Sequence, residues 1–559
     1  MRERWTTNGE TSMNKLPASI VALLILCSAA LTAAPRSLDL QVVASSSSVV
    51  RAHFDLPPLG ELWTAPEASG LDIVWISDER PIAALMRWIA VPAGQRAELT
   101  IETRISYRAN LNPQSSAVQI PLNLQELQAF RLEPAAAAQI GEPVFFRGQQ
   151  LVPLLIYPVQ LEADGSESGV VNQSLDFSVH FYDDPNQRAL RSVGDAPAST
   201  AARFVDNLVI NPPARDPIGG QFPHIGHILI IYNQNLAQRA YLDSLANWKR
   251  QMGYRVSLQP VDPTDPLAIR QMIRENYYFI EDPVQDLLII GPDAQNLGDF
   301  YIPGYRVGAF TGDHYYGVMV DGEGERIVPE LTVGRMYAET TSELAGVIKR
   351  SIRFERELFL DDENNRAWFK RALYTAEDIE VAGGQFVPSM IHLGRWVATR
   401  WRQMGIERID TFFARDYSRE ELNQRVGNIA RSGVSMILSR GWLDGCSQNA
   451  GSVDTQRKHP FLSAMTCLSW DRQTPIFKDS PLNRPKGPIG DLCMHGLTNT
   501  KYNNSILGGQ VRAMRYFNIS RTGWIQLYSK MQAWSDYRVD RQVWPDLERV
   551  ISVYTLLGD

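Results

Sequence analysis

Short apolar segments separated by polar turns fill residues 35–210 of the chain. Each segment is rich in Val, Ile, Phe or Tyr, and Asp, Gly, Pro and Ser stand between the segments, a pattern typical of strands. We therefore predict an all-β domain here, followed by a linker over residues 211–224, where Pro and Gly are frequent. The segments on which this prediction depends are residues 38–43, 97–107, 151–160 and 175–182.

After the linker, continuous apolar runs alternate with helical periodicity. Residues 228–232 are apolar throughout, and large apolar side chains then recur at helical spacing as far as Gly253. Apolar strands separated by helices indicate a parallel sheet that is covered on both faces. We predict two consecutive α/β units, residues 225–365 and 366–559, each a doubly wound and mostly parallel sheet.

Two helices of these units have a recognisable start. Thr340 with Glu343, and Ser418 with Glu421, have the spacing of a capping box, in which each side chain bonds to the backbone of the other residue. The sequence therefore predicts one helix that ends near residue 355 and a second that ends at Gly433.

The N-terminus has the pattern of a secretory signal. Lys15 precedes the apolar residues 20–26, and small residues follow as far as Ala34. We predict that residues 1–34 are a signal peptide, with Met13 as an alternative start, and that the protein is exported to the periplasm, the cell surface or the medium.

Composition narrows the classes of partner. The 559 residues are 44% hydrophobic and 21% charged, with a formal net charge of −7. These are ordinary globular values, and the acidic balance argues against nucleic acid as a partner. Beyond the N-terminus there is no apolar run of 18 residues, so we predict no integral membrane domain. The oligomeric state is left open.

Candidate chemistry stands at the ends of two predicted strands. Residues 439–442 follow one apolar run and residues 466–469 follow the next, and ligands of open α/β sheets bind at the carboxyl ends of the strands. Cys467 in this place could act as a nucleophile, with backbone N–H groups stabilising the oxyanion. The motifs of serine hydrolases, zinc peptidases and phosphate-binding loops are absent from the sequence. Residues 321–325 could approach a calcium ion, but their acidic and Gly residues are more typical of a turn.

Several segments of the α/β region form a recognisable series. They are WKRQMGYRV (248–256), DLLIIGPD (286–293), GDHYYGVMVDGEGERIVPELTVGRM (312–336), HPFLSAMTCLS (459–469) and VYTLLGD (553–559). Their order resembles the gingipain family of cysteine peptidases, which have a caspase-like fold. The resemblance covers about residues 227–559, and residues 141–160 are similar to the prosegment of the family. It implies a protein or peptide substrate, Cys467 as the catalytic thiol, a Cys–His dyad, a unit stabilised by Ca²⁺ and a removable prosegment.

One position departs from the family pattern. The catalytic His of the family stands before a Gly at the end of the strand preceding the Cys strand, and here that pair is Arg440–Gly441. The resemblance assigns an oxyanion-binding N–H group to Gly441. A guanidinium near Cys467 would favour the thiolate. It cannot transfer a proton, and loss of the general acid typically costs about 10²–10⁴ in rate.

Three interpretations follow. The leading one is an exported homologue of a cysteine peptidase whose proteolysis is weak or lost at Arg440. The second is an active endopeptidase in which His495, at the end of the strand after the Cys strand, is the relocated base. The third is a secreted scaffold or adhesion protein that binds peptides without cutting them.

Three further predictions concern residues around the candidate site. We expect Asp313 to attract a basic substrate side chain or to cap its own turn, and we place Trp442 in the substrate pocket. Cys446 and Cys493 could form a disulfide, which would leave Cys467 as the free thiol.

Overall fold

The structure is a computed structural model that describes the chain from residue 40 to residue 559 with gaps. The described residues are 40–56, 72–77, 80–110, 136–161, 168–185, 199–213, 224–236, 239–278, 282–293, 298–307, 310–320, 328–357, 367–376, 379–381, 385–387, 389–440, 458–467, 469, 488–494, 496–537, 542 and 544–559. The predicted signal peptide and most of the predicted linker lie outside these ranges.

The N-terminal part consists mainly of strands, as predicted, and these strands form two sheets. One sheet has the order β1-β2-β10-β5, with β9 beside β10, and the other has the order β3-β4-β8-β6, with β7 beside β8. Pairing between these strands is antiparallel throughout. The strands are β1 (Leu40–Ser45), β2 (Val49–Asp55), β3 (Asp72–Ser77), β4 (Arg80–Val91), β5 (Gln95–Asn110), β6 (Ala138–Ile140), β7 (Val144–Phe146), β8 (Gln149–Ile156), β9 (Val159–Leu161) and β10 (Ser168–Asp183). Helix α1 (Thr200–Leu208) follows them.

The C-terminal part is α/β, and most of its strands belong to one sheet. The strands of this part are β11 (His227–Asn233), β12 (Arg255–Val261), β13 (Asp286–Ile290), β14 (Tyr305–Val307), β15 (Phe310–Gly312), β16 (Thr332–Met336), β17 (Arg371–Ala376), β18 (Ile379–Val381), β19 (Gln385–Val387), β20 (Arg408–Phe413), β21 (Met436–Arg440), β22 (Phe461–Met465), β23 (Gly490–Met494) and β24 (Tyr554–Gly558). The helices are α2 (Ala240–Gln251), α3 (Pro266–Tyr278), α4 (His314–Gly317), α5 (Thr341–Glu357), α6 (Ser389–Gln403), α7 (Arg419–Ser432), α8 (Thr500–Tyr516), α9 (Thr522–Tyr537) and α10 (Trp544–Val553).

The two predicted sheets form one ten-stranded sheet. Its order is β12-β11-β13-β16-β24-β23-β22-β21-β17-β20, so the last strand of the chain lies between the two halves. β24 is antiparallel to β23, with Gly490 opposite Gly558 and Met494 opposite Tyr554. Within each half, neighbouring strands are parallel. The mostly parallel α/β prediction is confirmed, and β24 is the element that joins the two halves.

The predicted capping boxes are present. Glu421 N–H donates to Ser418 Oγ at 3.3 Å, and Ser418 N–H donates to Glu421 Oε2 at 3.0 Å. Thr340 and Glu343 make the same reciprocal pair, both at 3.2 Å. Gly433, after the last residue of α7, has a φ of +94°, a conformation that side chains with a Cβ rarely adopt. Local sequence signals therefore set the ends of these helices.

Helices α8 and α9 are buried between the central sheet and the β-rich domain. Every residue from 502 to 513 of α8 and from 524 to 534 of α9 is buried. α9 contacts β16 and β24 on one side and β3 on the other. Trp524 lies 4.8 Å from the ring of Phe204 and 6.1 Å from that of Phe146, both outside the α/β part. The β-rich domain and the α/β part therefore share one hydrophobic core.

We predict that this shared core contributes strongly to stability. Phe146 is completely buried against Phe204 and Trp524, so Phe146→Ala should lower the free energy of unfolding of the full chain by about 3–5 kcal/mol. Denaturant unfolding measures this change. Phe369→Ala, at a ring that is 43% exposed, is the matched control and should cost much less. Equal losses for the two variants would contradict a core shared by the two parts of the chain.

The middle of the sheet contains a buried carboxyl group. Asp491 on β23 is 5% exposed, and burial raises its pKa to about 8. A backbone N–H at Ala464 opposes the rise by favouring the charged form. Between about pH 4 and pH 8, Asp491 is therefore protonated in the folded protein and ionised in the unfolded chain.

The sign of the resulting pH dependence follows from this difference. Between about pH 4 and 8 the folded state binds more protons than the unfolded state, so its stability falls as pH rises. We predict that Asp491 lowers the free energy of unfolding by up to about 1.4 kcal/mol for each unit of rising pH in this range. The Asp491→Asn variant should lack this pH dependence. Unfolding midpoints of both proteins across this pH range measure it, and identical slopes would show that Asp491 does not contribute.

Candidate functional site

Two neighbouring strands end at the same edge of the sheet and bring the main candidates together. β21 ends at Arg440 and β22 ends at Met465, and these two residues are directly paired in a parallel register. Cys467 follows two residues later. Helix α8 begins at the same edge, with Asn499 as its N-cap. The prediction that the two strands are neighbours is therefore confirmed, although Ser439 and Arg440 are the last residues of β21 and do not follow it.

Cys467 is half-buried, and its sulfur is held by a single neighbouring residue. The Thr498 N–H donates to Cys467 Sγ at 3.3 Å, and the Thr498 hydroxyl donates at 3.4 Å. The thiol can in turn donate to the Thr498 carbonyl, which lies 3.1 Å away. Every hydrogen bond that Cys467 makes with the described residues goes to Thr498.

Two further side chains fix the surroundings of the thiol. Asn503, on the first turn of α8, donates from Nδ2 to Thr498 Oγ1 at 2.8 Å. Ser469 Oγ accepts the Met494 N–H at 2.8 Å and so ties the segment after Cys467 to the end of β23. Thr498 and Asn503 were not predicted from the sequence, because neither belongs to a recognisable motif and both become neighbours of Cys467 through the packing of α8.

Arg440 lies inside the protein, next to the candidate site. Its side chain is completely buried on the face of the sheet that α8 covers. Nε and one terminal nitrogen donate to Asn504 Oδ1 at 3.0 and 2.7 Å. The other nitrogen donates to the Met465 carbonyl, and the Thr500 carbonyl accepts a further bond at 3.3 Å. Arg440 therefore ties the end of β22 to the start of α8.

Burial changes the acid–base behaviour of this guanidinium. It lowers the pKa of Arg440 to about 10, because charging the group in the interior is costly, while Tyr374 and Cys467 favour the charged form. Arg440 is a cation at neutral pH. Its hydrogen bonds go to three neighbours other than Cys467 Sγ, so its effect on the sulfur in this structure is through space.

Asp313 is buried in an ion pair. Its two oxygens accept from Arg335 at 2.8 and 2.6 Å, and Arg335 also donates to the Gly291 and Ile302 carbonyls. Asp313 is the residue before helix α4, but its side chain makes no capping bond there. Substrate binding by Asp313 stays a prediction, and it would require a group that competes with Arg335 for the carboxylate.

Three predicted site residues lie outside the described residues. They are Gly441, Trp442 and His495. Cys446 also lies outside, so the disulfide with Cys493 stays a prediction. Among the described side chains, no group of three His, Cys, Asp or Glu is placed to hold a metal ion. Residues 321–325 are outside the described ranges, and calcium binding remains an implication of the resemblance.

A cavity of about 460 Å³ lies at the opposite edge of the sheet, where the parallel strands of both halves begin. Its wall includes Phe461 and Gly490, the first residues of β22 and β23, whereas Cys467 follows the last residue of β22. The cavity is therefore separate from the thiol. No described helix is both long enough and apolar enough to cross a membrane.

The fold and the site define a class of protein: an α/β protein with a cysteine at the carboxyl edge of its central sheet. The model of peptidase family C25 matches residues 223–559, which is more than half of the chain. The chain belongs to this family, and the predicted membership of the gingipain family is confirmed.

One solved structure agrees with this assignment at the level of the fold. The crystal structure of the Arg-specific cysteine proteinase gingipain R (RgpB) is 17% identical, with a TM-score of 0.50 over 62% of this chain and 79% of that chain. A complex of the Porphyromonas gingivalis RgpB pro- and mature domains is also 17% identical. The match covers 60% of this chain and 78% of that chain, with a TM-score of 0.49. The comparison with curated proteins found no match.

We predict that the contacts of Arg440 stabilise the folded protein. Arg440→Lys retains the charge but cannot reach Asn504, Met465 and Thr500 together, and it leaves buried carbonyl oxygens unpaired. The free energy of unfolding should fall by about 1–3 kcal/mol, as measured by denaturant titration.

The matched control is Arg431→Lys. Arg431 donates to Asn428 Oδ1 at 2.7 Å, but this pair is exposed and its loss should be close to neutral. A loss for Arg440→Lys no larger than that for Arg431→Lys would contradict the structural role of Arg440.

Proposed function

We propose that the chain is an exported homologue of a cysteine peptidase in which Cys467 is the nucleophile and peptide cleavage is weak or lost. The observation that carries the proposal is the position of Arg440. Arg440 is a buried cation opposite Met465, two residues before Cys467. The resemblance assigns this position to the catalytic His of the family. Membership of family C25 supports a protein or peptide as the substrate.

The proposed defect lies in proton transfer. Attack by the thiolate on a peptide carbonyl forms an oxyanion, and the amine that leaves must gain a proton. Arg440 remains protonated at neutral pH and has its N–H groups bonded to Met465, Thr500 and Asn504. It can favour negative charge on the sulfur, but it cannot accept the thiol proton and return it to the amine.

Further parts of the proposal follow from the family resemblance. The Gly441 N–H would bind the oxyanion, Ca²⁺ would stabilise the α/β unit, and a signal peptide over residues 1–34 would direct export. The shared core of α8, α9 and the β-rich domain supports testing the full chain rather than the α/β part alone.

The test compares two substitutions of the same residue. Arg440→His and Arg440→Gln both remove the cation and its contacts, but the imidazole alone can transfer a proton. We expect peptide turnover per folded molecule to be about 10²–10⁴ higher in Arg440→His than in Arg440→Gln, with calcium and reductant present. Fluorogenic peptide mixtures measure it, and circular dichroism gives the folded fraction of each variant.

Two results would contradict the proposal. Equal turnover in Arg440→His and Arg440→Gln would mean that the proton carrier is not what the site lacks. Efficient peptide cleavage by the unaltered chain that is abolished by both Cys467→Ala and His495→Ala would establish the relocated base instead.

A further inference from the structure

The Thr498 donors lie where negative charge on Cys467 would develop. The backbone N–H and the hydroxyl of one residue both point to Sγ, at 3.3 and 3.4 Å. Asn503 Nδ2 donates to the same hydroxyl oxygen, so the hydroxyl proton is directed to the sulfur rather than to Asn503. A threonine hydroxyl and a backbone amide therefore both donate to the sulfur, whereas the Thr498 carbonyl, 3.1 Å from Sγ, accepts from the thiol and opposes the charged form.

The donors around Cys467 can stabilise negative charge on the sulfur, but they do not carry protons. The Arg440 guanidinium and the Thr498 N–H cannot accept a proton, and an alkyl hydroxyl is a poor acid and base near neutral pH. The described surroundings of Cys467 therefore support the first half of an acyl transfer, the attack of sulfur, without the proton that an amine leaving group requires.

The nature of the leaving group then decides which bonds this site can break. An amide must release its nitrogen as a neutral amine, so the step depends on a general acid. A thioester or an aryl ester releases a thiolate or a phenolate, which leaves as an anion. Such substrates need a thiolate and a stabilised oxyanion, and they do not need a general acid.

We propose that Cys467 accepts acyl groups from thioesters and aryl esters in preference to peptide bonds, and that the acylated enzyme persists. This inference rests on the proposed function, in which Cys467 is a nucleophile without a proton carrier. Thr498 is a catalytic residue because its N–H and hydroxyl touch the reacting sulfur. Asn503 is a positioning residue that acts through the hydroxyl of Thr498.

The reaction is balanced without a further reagent. The thiol loses its proton to solvent, and a sulfur electron pair forms a bond to the acyl carbon while the carbonyl π electrons move to oxygen. When the carbonyl re-forms, the bond from carbon to the leaving sulfur or oxygen breaks, and the leaving atom takes the electron pair. Water must then attack the new thioester on Cys467, and this step is slow because none of the described groups around Cys467 can deprotonate the water.

The test uses two substrates with the same acyl group. The full chain is mixed with p-nitrophenyl acetate and, separately, with p-nitroacetanilide. We expect the ester to release a burst of about one p-nitrophenolate per protein molecule, followed by slow turnover, and the anilide to release nothing measurable. Peptide mass spectrometry should place the acetyl group on Cys467, and the burst should be absent from Cys467→Ala.

Matched variants test the role of Thr498. Thr498→Val has nearly the same shape but lacks the hydroxyl, whereas Thr498→Ser retains it. Loss of one hydrogen bond to a charged group should slow the burst about 10- to 100-fold in Thr498→Val, and Thr498→Ser should restore most of the rate. Asn503→Ala should slow the burst less than Thr498→Val, because the hydroxyl remains. Equal burst rates in Thr498→Val and Thr498→Ser would overturn the role of the hydroxyl.

The outcomes separate this inference from the proposed function. Comparable cleavage of the ester and the anilide would overturn the preference for esters. Rapid repeated turnover of the ester would overturn the persistence of the acyl group. Either result would leave Cys467 as the nucleophile. Failure of Cys467 to react in the folded chain with either the ester or iodoacetamide, which needs no leaving amine, would instead overturn the proposed function.

Discussion

The buried guanidinium of Arg440 is the constraint on which the candidate site depends. It joins the last residue of β22 to the first turn of α8 through the Met465 carbonyl, the Thr500 carbonyl and the Asn504 side chain. Cys467 and Thr498 lie just beyond these two anchor points. The distance from Thr498 to the sulfur is therefore set by an internal cation. Under the proposed function, this cation stands at the position that the resemblance assigns to the catalytic His of the family.

Burial of α8 and α9 extends this constraint to the whole molecule. Both helices have polar side chains that are buried, such as Gln510, Gln526 and Lys530, because sheets lie on two sides of them. Burial lowers the pKa of Lys530 to about 7, although Asp313 favours the charged form. The β-rich domain completes the core around these helices, so the geometry at the start of α8 depends on a domain that does not contribute a described residue to the site.

The sequence predicted the elements whose signals are local. The capping boxes, the glycines after α2 and α7 and the apolar strands β11 and β22 are in the predicted places. The prediction lacked α8 and α9, because helices covered on both sides do not show one apolar face. It also treated residues 553–559 as a motif, whereas their pairing with β16 and β23 depends on contacts between residues far apart in the sequence. Cys467 and Arg440 were found from strand ends and from the resemblance, but Thr498 and Asn503 required the packing of α8.

A double-mutant cycle on Arg440 and Asn504 tests the central claim most directly. The measurement is the free energy of unfolding of the full chain, of Arg440→Met, of Asn504→Ala and of the double variant. If the buried guanidinium joins the two elements, the coupling energy should be about 1.5 kcal/mol or more. A coupling energy near zero would show that β22 and α8 are held together by other contacts, and that Arg440 does not set the distance between Thr498 and the sulfur of Cys467.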